Sequence, residues 1–406
     1  MTKTSMGNQI VKLIKYLYRN SNGRYTEYSI GENKIVVLFS PESVYELFTK
    51  KSKNFNRGIS FDNMKVAFDN EGILVSDDPK HIKDKKVMAS SFHKNEIDKS
   101  CSVIYEVANH HLLKNKIGNI DILNLSQKYT FDSLSQCFFG KKIPKDLIEV
   151  INDTHNTVGN VETLNIKKEF FSEFHAMKNF FIDIIKNNNE DNLIKLMKDS
   201  GMDEKSVADQ MLTILSAGFE TTSDLISWSI FYLADNPDIL KKLREEDNSW
   251  IKENRSPSLK DIEKSVMIKK IINETLRTKP PIYWTSRLAK SQVKISDIDI
   301  EKNTNVIVSQ YISHFDPKYF KDPQRWNPER WVEGFEKSLP KGVYFPFGYG
   351  GTKCIGDQFG ILLASIFILM FVNKYEFSNM GKFPKEGYMV SLFPTENTEI
   401  KILSML

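Results

Sequence analysis

Cysteine is scarce in this chain: Cys101, Cys137 and Cys354 are the only three, with no Cys-x-x-Cys spacing. That excludes a disulfide-stapled scaffold and a structural zinc module. Charge of one sign is lacking too. Lys and Arg number 56 against 52 Asp and Glu, a formal net charge of +4, so the whole-molecule field is not that of a dedicated nucleic-acid binder. No Gly/Ser-rich or Pro-rich linker divides the 406 residues and no fixed-period repeat recurs, so a single domain over 1–406 is the simplest organisation. Long hydrophobic runs are missing at the start, where Lys12, Lys15 and Arg19 interrupt the apolar positions. The longest apolar stretch, 359–372, has the length of a buried core helix rather than a membrane span. The expectation is a soluble, cytoplasmic monomer without a membrane anchor and without a nucleic-acid partner.

What is abundant is core-forming material. Hydrophobic residues make up 40% of the chain and include 27 Phe and 15 Tyr, enough for a large core. Residues 25–30 and 34–39 read as strands around a turn at Gly31, Glu32 and Asn33, and Ser40-Pro41 opens a helix with a cap residue and a first-turn proline. From about 95 to 275 the pattern is mostly helical, with long segments predicted near 98–115, 119–139, 166–187, 203–234 and 235–247. Strand-like runs return at 293–300, 304–309 and 387–403, separated from the helical part by an irregular, proline-broken stretch over 316–346. The class is mainly α (α+β), with a β-rich part at about 20–60 plus 280–310.

Chemistry concentrates at one cysteine. In Phe347-Gly348-Tyr349-Gly350-Gly351-Thr352-Lys353-Cys354-Ile355-Gly356 the thiol ends a glycine-rich loop and begins the long apolar helix. A helix N-terminus lowers a thiol pKa and favours thiolate, a soft ligand for iron. The glycines let backbone approach a planar cofactor closely, and Phe347 is placed to shield the sulfur. Cys101 and Cys137 have no such setting and read as inert buried thiols.

This loop resembles the haem-binding loop of the cytochrome P450 family, which has phenylalanine seven before the cysteine, glycine four before and glycine two after; Phe347, Gly350 and Gly356 stand there. Three further segments match in family order. Glu274-x-x-Arg277 lies on a predicted helix, and Asn327-Pro328-Glu329-Arg330-Trp331 resembles the Pro-Glu-Arg-aromatic motif, implying a buried triad of Glu274, Arg277 and Arg330. Ala217-Gly218-Phe219-Glu220-Thr221-Thr222 falls mid-helix, where a glycine is costly without a packing or functional reason. There the resemblance implies a groove for dioxygen at Ala217 and Gly218, with Thr221 bonded back to the Ala217 carbonyl and facing the oxygen while Glu220 relays protons from solvent. The departures lie at the haem propionates: Thr352 replaces the usual Arg or His, and His81-x-x-x-Lys85 replaces Trp-x-x-x-Arg, leaving Arg287 as the safest contact and His81 and Lys85 as weaker donors.

The resemblance covers the chain from about residue 25 to the C-terminus and implies a helix-rich triangular fold. It also implies haem b (protoporphyrin IX iron) held by Cys354, with Ile355 and Gly348 beside it, and a monooxygenase using O2 as co-substrate. Electrons would come from a ferredoxin or flavodoxin with its NAD(P)H-dependent reductase, docking on a basic face at Lys85, Lys86, Lys341 and Lys353. By the same analogy the substrate pocket is lined by Phe61, Met64, Phe68, Ile73, Leu215, Phe219, the 281–285 segment with Tyr283 and Trp284, and the 389–393 segment with Val390 and Leu392. Apolar and aromatic walls suit a lipophilic terpenoid or fatty-acid-like substrate. The competing readings are a peroxide-using peroxygenase, an isomerase of oxygenated substrates that needs no reductant, a non-catalytic haem-binding sensor and a haem-free cysteine enzyme; the Glu220-Thr221 pair speaks against the first two, and the last lacks a spaced histidine partner.

Overall fold

The computed structural model describes residues 6–31, 33–114, 117–159 and 171–406. Its helices run α1 Met6–Arg19, α2 Pro41–Phe48, α3 Asp62–Ala67, α4 Lys80–Met88, α5 Lys94–Leu113, α6 Ile122–Phe139, α7 Asp146–Gly159, α8 Ser172–Lys186 and α9 Leu193–Asp199. They continue with α10 Glu204–Asp235, α11 Pro237–Glu245, α12 Ser249–Lys252, α13 Leu259–Lys264, α14 Val266–Thr278, α15 Gln310–Ser313, α16 Phe335–Ser338 and α17 Asp357–Lys374. The strands are β1 Tyr25–Ile30, β2 Asn33–Leu38, β3 Phe55–Arg57, β4 Gly118–Asp121, β5 Thr285–Ala289, β6 Val293–Ile295, β7 Ile298–Ile300, β8 Asn305–Val308, β9 Tyr375–Ser378, β10 Lys385–Tyr388, β11 Leu392–Thr395 and β12 Glu399–Met405. The mainly-α class with small sheets is as the sequence implied.

Local chemistry sets the boundaries. The Ser40 hydroxyl accepts from the Ser43 N–H at 3.4 Å with Pro41 in the first turn of α2, and Asp203 caps α10 through the Ser206 N–H at 2.7 Å. Asn236-Pro237 ends α10 and opens α11, because proline is tolerated only in a first turn. The predicted helix at 119–139 is shorter. Residues 118–121 pair with β12 instead, and Asp121 caps α6 by accepting from the Asn124 N–H at 3.0 Å. The predicted strand at 293–300 is a hairpin broken at Ser296, whose φ is 51°, and 387–403 divides among β10, β11 and β12. Of the predicted 166–187 helix, 166–170 lie outside the described residues, and α8 takes up 172–186 with Phe171 and Asn187 as its flanking caps.

Two features position the site. The five-stranded sheet has the order β1-β2-β8-β5-β3, so β3, a strand the periodicity did not signal, pairs with β5 and sets Arg57 opposite Arg287. The 32-residue α10 crosses the core, buried on most sides, and packs against α6, α8 and α17. Among the described residues α17 alone is long and apolar enough to cross a membrane, and most of it is buried in the core, as expected of a helix apolar all round.

Candidate active site

The loop before α17 is held by its own backbone. The Cys354 N–H donates to the Phe347 carbonyl at 2.9 Å and the Lys353 N–H to Gly350 at 3.1 Å. Gly348 and Gly350 sit at φ of 71° and 62°, in the left-handed region that favours glycine. A Cβ on Gly350 would meet the Phe48 carbonyl at 2.1 Å. Gly350 is therefore demanded by packing on the end of α2, and it does not face the cavity as expected; Phe347, Gly348, Ile355 and Gly356 do.

Cys354 lies deep in the protein with its side chain open to an internal cavity of about 330 Å³. Burial pushes its thiol up, against the Gly356 N–H and the ammonium groups of Lys85 and Lys353, which pull it down. α17 begins only at Asp357, so the groups here that favour thiolate are the Gly356 N–H and the two ammonium groups rather than the helix terminus itself. A bound metal cation would reverse the balance, since a coordinating thiol is deprotonated outright.

The opposite wall is α10. Ala217, Gly218, Glu220 and Thr221 all line the cavity, and the Thr221 hydroxyl donates to the Ala217 carbonyl at 2.8 Å. Helical rotation of about 100° per residue turns Leu215 and Phe219 away. Both are fully buried in the core, Phe219 against Phe131 and the His155 ring, so neither borders the cavity.

Glu220 differs from a solvent-facing relay. It is buried, with one carboxylate oxygen against His155 Nδ1 and the other accepting from the Ser391 hydroxyl at 3.0 Å. Burial alone would push this acid up; His155 and Ser391 carry it below the ordinary carboxylate range. One turn on, burial and the Glu220 charge hold the Asp224 carboxyl well above that range.

At the edge of the cavity are two buried arginines. Arg57 donates to the Ile73 carbonyl at 3.3 Å, and Arg287 to the Ser286 carbonyl at 2.8 Å and the Thr352 hydroxyl at 3.0 Å. Neither guanidinium has a carboxylate at ion-pair distance among the described residues. The Phe61 ring lies under both, at 5.0 and 5.8 Å. Burial lowers Arg57 to about 10 and Arg287 to about 9, with Arg57 adding to the depression of Arg287. His81 lines the same edge and is lowered to about 4, first by burial, then by Arg57 and Lys85. Lys85 also borders the cavity, but its ammonium donates to the Gly351 and Lys353 carbonyls at 2.8 and 2.5 Å; it steadies the cysteine loop in place of the expected propionate contact. Two buried cations side by side, with Asp77 near them but no carboxylate at ion-pair distance among the described residues, suit the paired carboxylates of a haem, and Arg57 is the residue that sequence reasoning missed. Its signal was the β3 register opposite Arg287, which no local motif carries.

Of the expected substrate wall, Phe61, Met64, Phe68, Ile73, Pro281, Thr285 and Val390 border the cavity. Tyr283, Trp284 and Leu392 do not. The Tyr283 hydroxyl donates to the Met389 carbonyl at 2.8 Å, and Leu392 is buried with Tyr283 in a separate core beside Trp228, with Trp284 packed against it. Leu74, Phe92, Leu134, Phe138 and Val158 take their place.

Behind the loop, Glu274 and Arg277 are fully buried and joined by two hydrogen bonds of 2.8 Å. Arg330 Nε donates to Glu274 at 2.9 Å, and so does the Trp331 indole N–H. The substituted aromatic thus adds a donor, and the Asn327 N–H adds another at 2.8 Å. Of the four expected docking lysines, Lys86, Lys341 and Lys353 are exposed, with Lys353 paired to Asp357, and Lys85 is half-buried.

A thiol and an alcohol-bearing helical groove facing each other across an apolar cavity, over a helix–meander ion triad, define the haem-thiolate class of site. The family model "Cytochrome P450" matches residues 2–402, and the chain belongs to that family. The cytochrome P450DA haem domain superposes with a TM-score of 0.85 at 17% identity, covering 97% of this chain and 92% of that one. Cytochrome P450 3A16 of Mus musculus is 32% identical over 44% of this chain and 36% of its own length. Cyclooctat-9-en-7-ol 5-monooxygenase of Streptomyces melanosporofaciens is 30% identical over 43% and 38%. These matches thus span well under half of the relatives' lengths.

Proposed function

We propose that this chain acts as one catalytic domain, a haem-thiolate monooxygenase that places one atom of O2 into a lipophilic small molecule. The observation that carries this reading is the placing of Cys354 and the Ala217–Thr221 turn on one apolar cavity rimmed by the buried Arg57 and Arg287. Cys354 would ligate the iron, and Arg57 and Arg287, with His81 as a neutral donor, would hold the propionates. When bound, the haem supplies reductive activation of dioxygen, with the thiolate donating electron density to favour O–O cleavage.

The chain's own residues do the rest. Phe347 and the cysteine loop keep water from the sulfur. Thr221, anchored through Ala217, presents its hydroxyl lone pairs to the cavity, and Glu220 stores a negative charge that can take up and return a proton at its carboxylate. The mostly apolar remainder of the wall orients a hydrocarbon framework and excludes water. A terpenoid or fatty-acid-like substrate fits that wall, and the cyclic alkenol in the name of the Streptomyces relative, cyclooctat-9-en-7-ol, favours a neutral terpenoid-like compound. Electrons would arrive from a separate ferredoxin or flavodoxin and its reductase through the face carrying Lys86, Lys341 and Lys353.

The test is the carbon monoxide difference spectrum of the reduced protein beside Cys354→Ala. A strongly red-shifted Soret band, lost in the variant, is expected. A band typical of histidine-ligated haem, or no haem, refutes the reading. Terpene alcohols and fatty acids then compete in a binding screen, and substrate-dependent NADPH oxidation with a surrogate ferredoxin and reductase separates a monooxygenase from a sensor or a peroxygenase.

A further inference from the structure

Glu220 does not stand alone in the cavity wall. His155 of α7 is buried with its imidazole stacked on Phe219 at 19° between planes, and its two nitrogens reach two different residues of α10. Nδ1 is against the Glu220 carboxylate, and Nε2 lies 2.6 Å from the Ser216 hydroxyl. Ser216 and Glu220 are four residues apart and share a helical face. The ring therefore spans the very turn that contains Ala217 and Gly218, where the Thr221 hydroxyl already competes for the Ala217 carbonyl.

The clamp is also attached to the substrate side. Val158, three residues after His155, lines the cavity. The Asn63 amide of α3 donates to the Val158 carbonyl at 3.1 Å, and a Cβ on Gly159 would meet that of Met389 at 3.0 Å. An occupant pressing on Val158 thus presses on the helix that carries His155. Among the described residues Glu220 otherwise meets the Ser391 hydroxyl and, one turn on, Asp224, so within that set His155 is the one basic partner.

We propose that His155 is the positioning residue for Glu220, fixing the carboxylate beside Thr221 and coupling occupation of the cavity to the acid that manages protons there. The inference rests on the monooxygenase reading. Loss of the clamp should misdirect protons rather than abolish reduction: dioxygen that takes two electrons and two protons without O–O cleavage leaves as hydrogen peroxide. With cleavage, either the same electrons and protons give one water and an oxygenated substrate, or four of each give two waters.

The experiment uses the haem-loaded full chain with a surrogate ferredoxin, its NADPH-dependent reductase and geranylgeraniol as probe, comparing the wild type with His155→Phe, His155→Gln and Ser216→Ala. His155→Phe keeps a stacking ring and deletes both ring-nitrogen contacts, the one to Glu220 and the one to Ser216. Its ratio of peroxide to cleaved oxygen, per NADPH consumed, should rise about tenfold, the weight of one charge-assisted hydrogen bond, and the solvent deuterium isotope effect on NADPH consumption should rise with it. His155→Gln, which can still donate to Glu220, should recover part of the loss, and Ser216→Ala should shift the ratio less in the same direction. If His155→Phe does not fold, the other two variants carry the test. A merely structural role would lower haem content and rate together and leave the ratio unmoved. An unmoved ratio in variants with the wild-type red-shifted band overturns the inference alone, whereas a wild type without that band overturns the haem-thiolate reading and this inference with it.

Discussion

Two sets of buried arginines stand in this molecule under opposite conditions. Arg277 and Arg330 converge on Glu274, whose oxygens also accept from the Trp331 indole and the Asn327 N–H. The one carboxylate is shared by both cations, and backbone carbonyls take further N–H groups of each guanidinium. Among the described residues the Arg57 and Arg287 guanidiniums meet carbonyls, the Thr285 and Thr352 hydroxyls and the Phe48 and Phe61 rings, with Asp77 as the nearby opposing charge, and both are depressed by burial. Burying a cation without a partner costs several kcal/mol. A fold that keeps two such cations side by side, while pairing others directly with Glu274, is what the proposed binding of an anion between them requires. The first set ties the meander to α14, and on the proposed reading the second would hold the haem propionates.

Breaking each set should therefore have effects of opposite sign in the ligand-free protein. Glu274→Gln leaves Arg277 and Arg330 facing each other in the core and should cost about 3–5 kcal/mol, read by urea unfolding, with or without haem. Arg287→Met should leave the haem-free protein as stable as before or more so, because an unpaired charge is removed. In the loaded protein it should speed haem transfer to apomyoglobin on the order of tenfold, and Arg57→Met should do the same to a smaller degree. If Arg287→Met destabilised the haem-free chain as Glu274→Gln does, the contrast between the sets would collapse.

The same contrast shows what could be read in the sequence. Glu274, Arg277 and Arg330 were legible because each sits in a short motif, as were the cysteine loop and the Ala217–Thr222 turn. Arg57 was not, because its meaning is a register: β3 is three residues long and becomes significant only when paired with β5. Leu215 and Phe219 were misplaced for a related reason. On a helix as completely buried as α10, hydrophobic periodicity cannot distinguish the face toward a cavity from the face toward the core. His155 escaped because its partners lie one whole helix pair away on α10. The helix-rich class and the principal helices followed from periodicity, whereas short strands such as β3, β4 and β5 depend on non-local partners that propensity does not encode.

Trp331→Phe sharpens the comparison from the compensated side. It keeps the aromatic packing and removes one donor of several, so the cost should be about 1.5 kcal/mol, the lower end for a hydrogen bond to a charged group. Thermal unfolding should show a modest drop with haem affinity unchanged. A loss as large as that of Glu274→Gln would mean that the indole, not Arg330, is the indispensable third partner.

The smallest and most discriminating effect is in pH, because each arginine set has a histidine beside it. His314, next to Arg277, is lowered to about 3 by burial and then by that arginine, and His81, beside Arg57, is lowered to about 4 by burial and then by Arg57 and Lys85. Both folded values lie below the ordinary 6.5 of histidine, so over that window the unfolded chain binds more protons than the folded one. Stability contributed by neutral His81 is thus complete above about 6.5 and is lost as pH falls toward about 4. His81→Phe should flatten that part of the acid limb in the haem-free protein, measured as unfolding midpoint against pH. Haem binding should flatten it as well, since a carboxylate set between Arg57 and Arg287 offsets the field that disfavours the imidazolium. It should leave the His314 contribution where it is, because neither His314 nor Arg277 borders the cavity. An acid limb that haem shifts equally in the wild type and in His81→Phe would show that the propionates do not lie against this edge of the cavity.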